Sequence, residues 1–222
     1  MKIIQKLKWL RSTCLYQELQ AYKRSKEGIA AIEFAIVAPI MIVMYIGLAE
    51  LSIAIAEDRR VSHAANVAGD LTTQLSSVSS GNMSDIMNAV LLVLDLPASE
   101  YPKVRMEINS YSKDASGALI TDGTAVLNGP FGSAYNASAI DSRILNDTSG
   151  VVVARVSYDY TIRLMNFSST NDSVGEINRG VNNITLEETF LLKPRQSARV
   201  VYADASGNSD FTCNHSASGP SC

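Results

Sequence analysis

The sequence predicts an α+β protein in which a long N-terminal transmembrane helix is followed by an outer domain with an antiparallel sheet packed on helices. Three observations lead to this fold class. Sixteen uncharged residues, Phe34 to Ala49, lie inside a mostly apolar stretch from Ile29 to Ala56. Apolar residues then recur at helical spacing, and beyond residue 100 they alternate with polar residues as in strands.

The apolar stretch is long enough to cross a bilayer once. At about 1.5 Å per residue, residues 29–56 extend roughly 42 Å, against a hydrocarbon core of about 30 Å. Residues 1–27 carry seven Lys or Arg and two acidic residues, whereas residues 28–222 carry twelve basic and twenty acidic residues. The positive-inside bias predicts a basic cytoplasmic leader, residues 1–28, with the rest outside. The acidic outer part argues against nucleic acid as a partner.

Two residues inside this transmembrane helix, residues 29–56, are unusual for a membrane span. Glu33 places a carboxylate near its start, where a charge costs up to about 3 kcal/mol at the bilayer centre and therefore indicates a functional role. Pro39 removes one backbone donor and leaves the carbonyl of Ala35 without its usual partner, which predicts a helix kink.

The residues around Glu33 form a recognisable motif. The chain reads GIAAIEF over residues 28–34, a glycine followed by four residues, a glutamate and an aromatic residue. This string resembles the processing site of Flp-type prepilins. The longer GIAAIEFAIVAP, with Glu50 further along, is similar to the N-terminal signature of TadE-like pseudopilins of the tight-adherence (Flp, type IVc) pilus system. The resemblance covers about residues 24–60.

The resemblance implies that a prepilin peptidase cuts between Gly28 and Ile29. Glu33, with Phe34 beside it, would then set the register of assembly by pairing with the new N-terminus of a neighbouring subunit. Within one chain Glu33 also lies about one helical turn from the new ammonium, near the positive end of the helix dipole. Either interaction offsets the cost of burying its charge.

The family resemblance also implies a structural role. The chain is too long for a major Flp pilin and shorter than the relatives that carry a von Willebrand-type domain, so it would be a minor, TadE- or TadF-like subunit serving pilus biogenesis, adhesion and biofilm formation. Its partners would be the prepilin peptidase, other pilins and pseudopilins, and platform proteins of the bacterial inner membrane. The C-terminal domain would be periplasmic, and entry into the extracellular pilus stays open.

Three other interpretations remain at this point. The helix could be a plain single-pass anchor with a glutamate of no special role. It could be a secretory signal peptide, because Ala54-Ile55-Ala56 matches an A-x-A cleavage site before Glu57. The outer domain could also be an envelope-anchored binding protein without a pilus role.

Helical periodicity continues beyond the apolar stretch, which predicts a periplasmic continuation of the helix over residues 57–80. Its apolar stripe comprises Val61, Ala64, Ala68, Leu71 and Leu75. The polar cluster Ser76–Gly81 would end it. A second helix is expected from Ser84 to Leu94, with Ser84 or Asn82 as its N-cap. Its predicted buried face comprises Ile86, Met87, Val90, Leu91 and Leu94.

The α+β periplasmic domain is expected over residues 81–205, and its clearest strand runs from Val151 to Phe167. Alternate residues are apolar on one face, from Val152 to Leu164, and polar on the other, from Arg155 to Arg163. This alternation is typical of an antiparallel sheet with one solvated face. Further strands are expected at Lys103–Ser110, Ile184–Leu192 and Ala198–Ala203.

The three cysteines fall into two groups. Cys14 lies in the leader, whereas Cys213 and Cys222 lie in a Ser- and Gly-rich tail, residues 206–222, that has no hydrophobic pattern. An oxidising compartment permits a disulfide between the two tail cysteines, which would order this segment. Two free or intermolecular thiols are the alternative.

No residue pattern indicates an enzyme, a cofactor or a metal site. The sequence has two histidines, His63 and His215, neither with neighbours at metal-ligand spacing, and it contains no G-x-S-x-G, phosphate loop or CxxC. Seven N-x-[ST] triplets are read as chance matches in an Asn-, Ser- and Thr-rich domain.

Overall fold

The chain is described from a computed structural model over residues 27–146, 149–162, 183–204, 206–216 and 219–222. Two compact units are present, Met1–Ala49 and Glu50–Cys222. Residues 1–26 of the predicted leader, which include Cys14, and the stretch from Arg163 to Phe167 lie outside the described residues.

Helix α1, Glu27–Thr73, contains the whole apolar stretch. The described part of the first unit lies within this helix, and nearly all of its large apolar side chains are solvent-exposed, Phe34 to 72%. Mean hydropathy reaches 2.4 in an 18-residue window that has no buried residue. The helix continues through Pro39, and a kink there remains a prediction. This exposure is what a helix surrounded by lipid requires.

The second unit contains a six-stranded sheet in the order β5-β4-β2-β3-β7-β8. The bounds are β2 Val104–Lys113, β3 Leu119–Leu127, β4 Val151–Thr161, β5 Asn183–Leu192, β7 Asp210–Ser216 and β8 Gly219–Ser221. Two short strands, β1 Ser77–Val78 and β6 Val201–Tyr202, pair separately in parallel. The α+β class is therefore confirmed.

Helix α2, Ser80–Leu94, begins earlier than predicted. Its N-cap is Ser79, whose hydroxyl accepts from the Asn82 backbone N–H while Asn82 bonds back to Ser79. The expected caps at Ser84 and Asn82 are therefore wrong, because this reciprocal capping box satisfies more of the unpaired N–H groups of the first turn. All five residues of the predicted apolar face are buried, and Met83 joins them.

The main core lies between the helices and one face of the sheet. Val61, Ala64 and Ala68 of α1 are fully buried there, which confirms that part of the predicted stripe. Small residues let the helix approach the sheet closely: a Cβ added at Gly69 would lie 2.4 Å from a Leu192 methyl carbon. The apolar face of β4 also packs here, as predicted.

The second face of β4 is buried, so the prediction of a solvated face is wrong. Arg155 is 6% exposed and Ser157 1%. The segment between β3 and β4 covers this face and brings Phe131, Tyr135 and other apolar side chains onto it. A polar residue on a strand can therefore be buried when a long connection folds back over the sheet.

The segment expected to be an irregular tail completes the sheet. Strand β7 pairs in parallel with β3, and Phe211 and Cys213 enter the main core. This pair departs from the predicted antiparallel sheet, because β7 reaches β3 from a distant part of the chain and no hairpin fixes its direction. The other strand pairs of the six-stranded sheet are antiparallel.

Strand β3 was missed by the sequence analysis, and its register shows why. Gly123 pairs with Ser110 of β2 and Thr121 pairs with Tyr111, so Asp122 between them has no paired residue on β2 and forms a bulge in the middle of β3. Gly123 is needed because the side chain of Tyr202 packs directly on it: an added Cβ would lie 2.2 Å from the Tyr202 ring.

Candidate membrane and assembly site

The predicted processing site lies at the start of the described part of α1. Gly28 and Ile29 follow directly after the first helical residue, and Ile29 is exposed. A Cβ added at Gly28 would meet no heavy atom within 4 Å. Packing among the described residues therefore does not require a glycine at this position.

Glu33 and Phe34 lie one turn further along α1 and are both exposed. Residues 29 and 33 are four apart on a helix, so their side chains share one face. After the predicted cleavage Ile29 would begin the helix, and the unpaired N–H groups of a first turn carry partial positive charge, which stabilises a nearby carboxylate. The carboxylate therefore belongs to a residue about one helical turn from the backbone nitrogen at which the predicted cleavage would create an ammonium.

Glu50, the second glutamate of the motif, is hydrogen-bonded to a residue of the sheet. It is 6% exposed, and the Tyr160 hydroxyl donates to its Oε1 at 2.8 Å. A buried carboxylate needs such donors because it has lost its hydration. The sequence showed both residues, but it contained no signal that pairs them across 110 positions.

A cleft of about 340 Å³ opens beside this pair, and we call it the Glu50 cleft. Its lining includes Glu50, Ile53, Glu57, Arg60, Asp95 and Tyr160. Arg60 Nη1 donates to Glu57 at 3.3 Å. Asp95, the C-cap of α2, also lines the cleft, and its φ of 53° places its backbone in the left-handed region.

A buried ionic cluster lies on the opposite face of β4. Arg155 donates to Glu107 at 3.2 Å and to Glu187 at 2.8 Å, and its guanidinium lies 4.2 Å from the centre of the Phe131 ring. Tyr111 accepts from the Asn109 amide in the same region, and burial raises its pKa although this hydrogen bond opposes the rise. The cluster fixes the covering segment, because Arg155 also donates to the Ser133 carbonyl.

The disulfide between Cys213 and Cys222 is present. It closes β8 onto β7, and the segment docks on α2 through Ser84, which donates to the Pro220 carbonyl at 3.1 Å and accepts from the Cys222 N–H. The structure therefore contradicts the alternative of two free thiols.

Removing this disulfide should lower the free energy of unfolding by about 2 to 3 kcal/mol, the loop-closure value for a loop of this length. Chemical denaturation of the detergent-solubilised chain, with and without a reductant, measures it. The Cys213→Ala/Cys222→Ala variant is the control, since a reductant should not change its stability. Alkylation of both cysteines in the non-reduced protein, seen by peptide mass spectrometry, would contradict the bond.

Within the described ranges, no group of three or more His, Cys, Asp or Glu side chains is arranged to hold a metal ion. His63 is exposed on α1. His215 packs edge-on against Tyr101 with ring centroids 4.9 Å apart. In the described part of the chain, His63 is therefore a solvent-exposed helix residue and His215 takes part in an aromatic contact.

Together these features define a class: an α+β protein in which one apolar helix near the N-terminus, among the residues described, suggests a membrane anchor. A family model described as TadE-like protein matches residues 28–70, so this segment is similar to TadE-like proteins, as the resemblance predicted. That family is a structural pilus component, and the domain suggests involvement in Tad pilus assembly. No curated protein and no solved structure matches the chain.

Proposed function

We propose that this chain is a minor pseudopilin or assembly subunit of a Flp-type pilus, anchored in the bacterial inner membrane with its second unit in the periplasm. One observation carries the proposal: the TadE-like match begins at Gly28, the glycine of the predicted processing site. The role is structural. The exposed apolar face of α1 packs among other pilin helices, and the second unit contacts assembly proteins.

The setting of Gly28 supports processing by a prepilin peptidase. An added Cβ at this glycine would meet none of the described residues within 4 Å, so their packing gives no reason for a glycine here. A peptidase that must bring the scissile peptide close to its catalytic groups does give one, because glycine allows the closest backbone approach. Cleavage there would leave the ammonium at Ile29, four residues before Glu33.

Replacing Gly28 with Val should block cleavage, so that the protein keeps its leader and migrates as the longer form. The added side chain meets nothing in the described structure, and the helix should therefore remain folded. Intact mass and N-terminal sequencing of the membrane-associated protein, from cells with and without the peptidase, measure the result. The control is Ala31→Val, a similar enlargement three residues away that should still be processed.

The native N-terminus separates this proposal from the alternatives. A start at Ile29 that depends on the peptidase supports a pseudopilin. A start at Glu57 would mean a secreted protein released by signal peptidase. An intact Met1 in cells that contain the peptidase would leave a tethered envelope domain and contradict the proposed role.

A further inference from the structure

The two edges of the six-stranded sheet differ in how they are protected from pairing with a further strand. The edge strand β8 has three residues and contains Pro220. The disulfide ties it to β7, and it docks on α2 through Ser84. Short length and proline are two of the devices that keep a sheet edge from pairing with another chain.

The opposite edge is formed by β5, which is long and regular. It has ten residues, pairs with β4 at all ten positions without a register shift, and contains no proline, glycine or lysine. Among the described residues, no further strand pairs with its outer side. The backbone N–H and C=O groups that point away from β4 therefore form a template on which another strand can add.

The side chains of β5 indicate what kind of strand fits this edge. Leu186, Glu188 and Phe190 share one face of β5, because side chains alternate along a strand. Leu186 is buried in the main core and Phe190 packs partly buried against it. Glu188 between them is half-buried, and it has no ion-pair partner within the described ranges. On the other face Glu187 pairs with Arg155, so β5 carries two acidic residues and no basic one.

We propose that the outer edge of β5 binds an extended segment of a partner protein, with a lysine or arginine opposite Glu188 and an apolar residue two positions to either side. Backbone hydrogen bonds join the two strands. The basic residue pairs with Glu188 across the strands, and the apolar residues continue the surface formed by Leu186 and Phe190.

The two acidic residues of β5 disfavour other strands. A two-fold pairing with a second copy, centred on the middle of β5, places Glu187 or Glu188 opposite the same residue of that copy. Like charges directly opposite each other are destabilising. A partner segment with an acidic residue at this position meets the same repulsion, whereas a basic segment is attracted.

The test uses the full chain in a non-ionic detergent and a fluorescent heptapeptide, TVTKTVT, with both ends capped. This sequence reads the same in both directions, so lysine lies opposite Glu188 and the valines opposite Leu186 and Phe190 in either strand orientation. Fluorescence anisotropy measures binding, and hydrogen–deuterium exchange locates it. We expect the peptide to slow exchange in residues 183–192. TVTETVT, with glutamate for lysine, and TTVKVTT, with the valines moved to the other face, should each bind about fivefold more weakly.

Charge reversal on β5 shows whether Glu188 is responsible. The Glu188→Lys chain should bind TVTETVT about fivefold more tightly than TVTKTVT, the reverse of the natural preference. The matched control is Asp85→Lys, which reverses an exposed carboxylate on α2, the helix that docks on the opposite edge strand, and should keep the natural preference. Equal binding of both peptides by the natural chain, or an unchanged preference in the Glu188→Lys chain, would overturn the proposal.

Other occupants of this edge give different results. A natural chain that dimerises and exchanges slowly throughout β5 without peptide would mean that a second copy occupies the edge. Slow exchange throughout β5 in a monomer would mean that the chain covers its own edge. Either result would overturn the binding of a basic partner segment.

Discussion

Replacing Glu33 with Ala should leave the protein in the membrane but reduce surface pili by more than about tenfold. If the carboxylate pairs with the ammonium of a neighbouring subunit, its loss leaves that charge uncompensated in an apolar environment at every contact. A loss of about 1.4 kcal/mol per contact corresponds to a tenfold change in association. Exposure of residue 33 in the single chain agrees with a partner outside it. Counting pili by electron microscopy measures the effect.

Two variants show whether the charge of Glu33 is responsible. Glu33→Gln keeps the shape but removes the charge, and it should fail as Glu33→Ala does. Glu57→Gln removes another carboxylate of α1 in the second unit, and it should leave pilus number near normal. Membrane fractionation shows whether each variant is inserted. Normal piliation in an inserted Glu33→Ala protein would contradict the registry role.

Replacing Arg155 with Ala should destabilise the second unit by about 3 to 5 kcal/mol, the range for breaking a buried ion pair from one side. Glu107 is 7% exposed and would keep its charge in the interior, with the Asn109 amide as its remaining described partner. The Ser133 carbonyl and the Phe131 ring would also lose the guanidinium that joins the covering segment to β4. Urea denaturation of the detergent-solubilised chain measures this loss.

Two controls separate the effect of the buried Arg155–Glu107 pair from that of the more exposed Arg155–Glu187 pair. Glu187 is 41% exposed on its side chain, so Glu187→Gln should cost less than about 1 kcal/mol. The double variant Arg155→Met/Glu107→Met removes both buried charges and should recover most of the stability. If the double variant is as unstable as Arg155→Ala, packing of the guanidinium is the cause rather than the unpaired carboxylate.

The parts of the fold that could be predicted are those with a short repeating pattern. The buried face of α2 followed from its helical period, and the apolar face of β4 followed from two-residue alternation. The apolar stretch of α1 and the family motif required only local residues. In each case the property that decides the structure lies within one element.

The parts that could not be predicted depend on distant segments. The covering segment between β3 and β4 has no periodic pattern, so the burial of Arg155 and its pairing with Glu107 were not visible in the sequence. Strand β7 is short and polar at alternate positions, and it is stabilised as a strand by pairing with β3. The bond between Glu50 and Tyr160 likewise exists only after α1 packs beside β4.

The parallel pairing of β3 with β7 has a consequence for the order of folding. Strands β2, β3 and β4 are neighbours in the sheet and are synthesised close together. Leu127 of β3, in contrast, can pair with Cys213 of β7 only after the chain has been synthesised to that residue. During synthesis, the far edge of β3 is therefore an open row of hydrogen-bonding groups, the kind of edge that recruits foreign strands. A chain shortened before residue 210 would keep this edge permanently, so we expect such truncations to aggregate even though both helices and the central strands are intact.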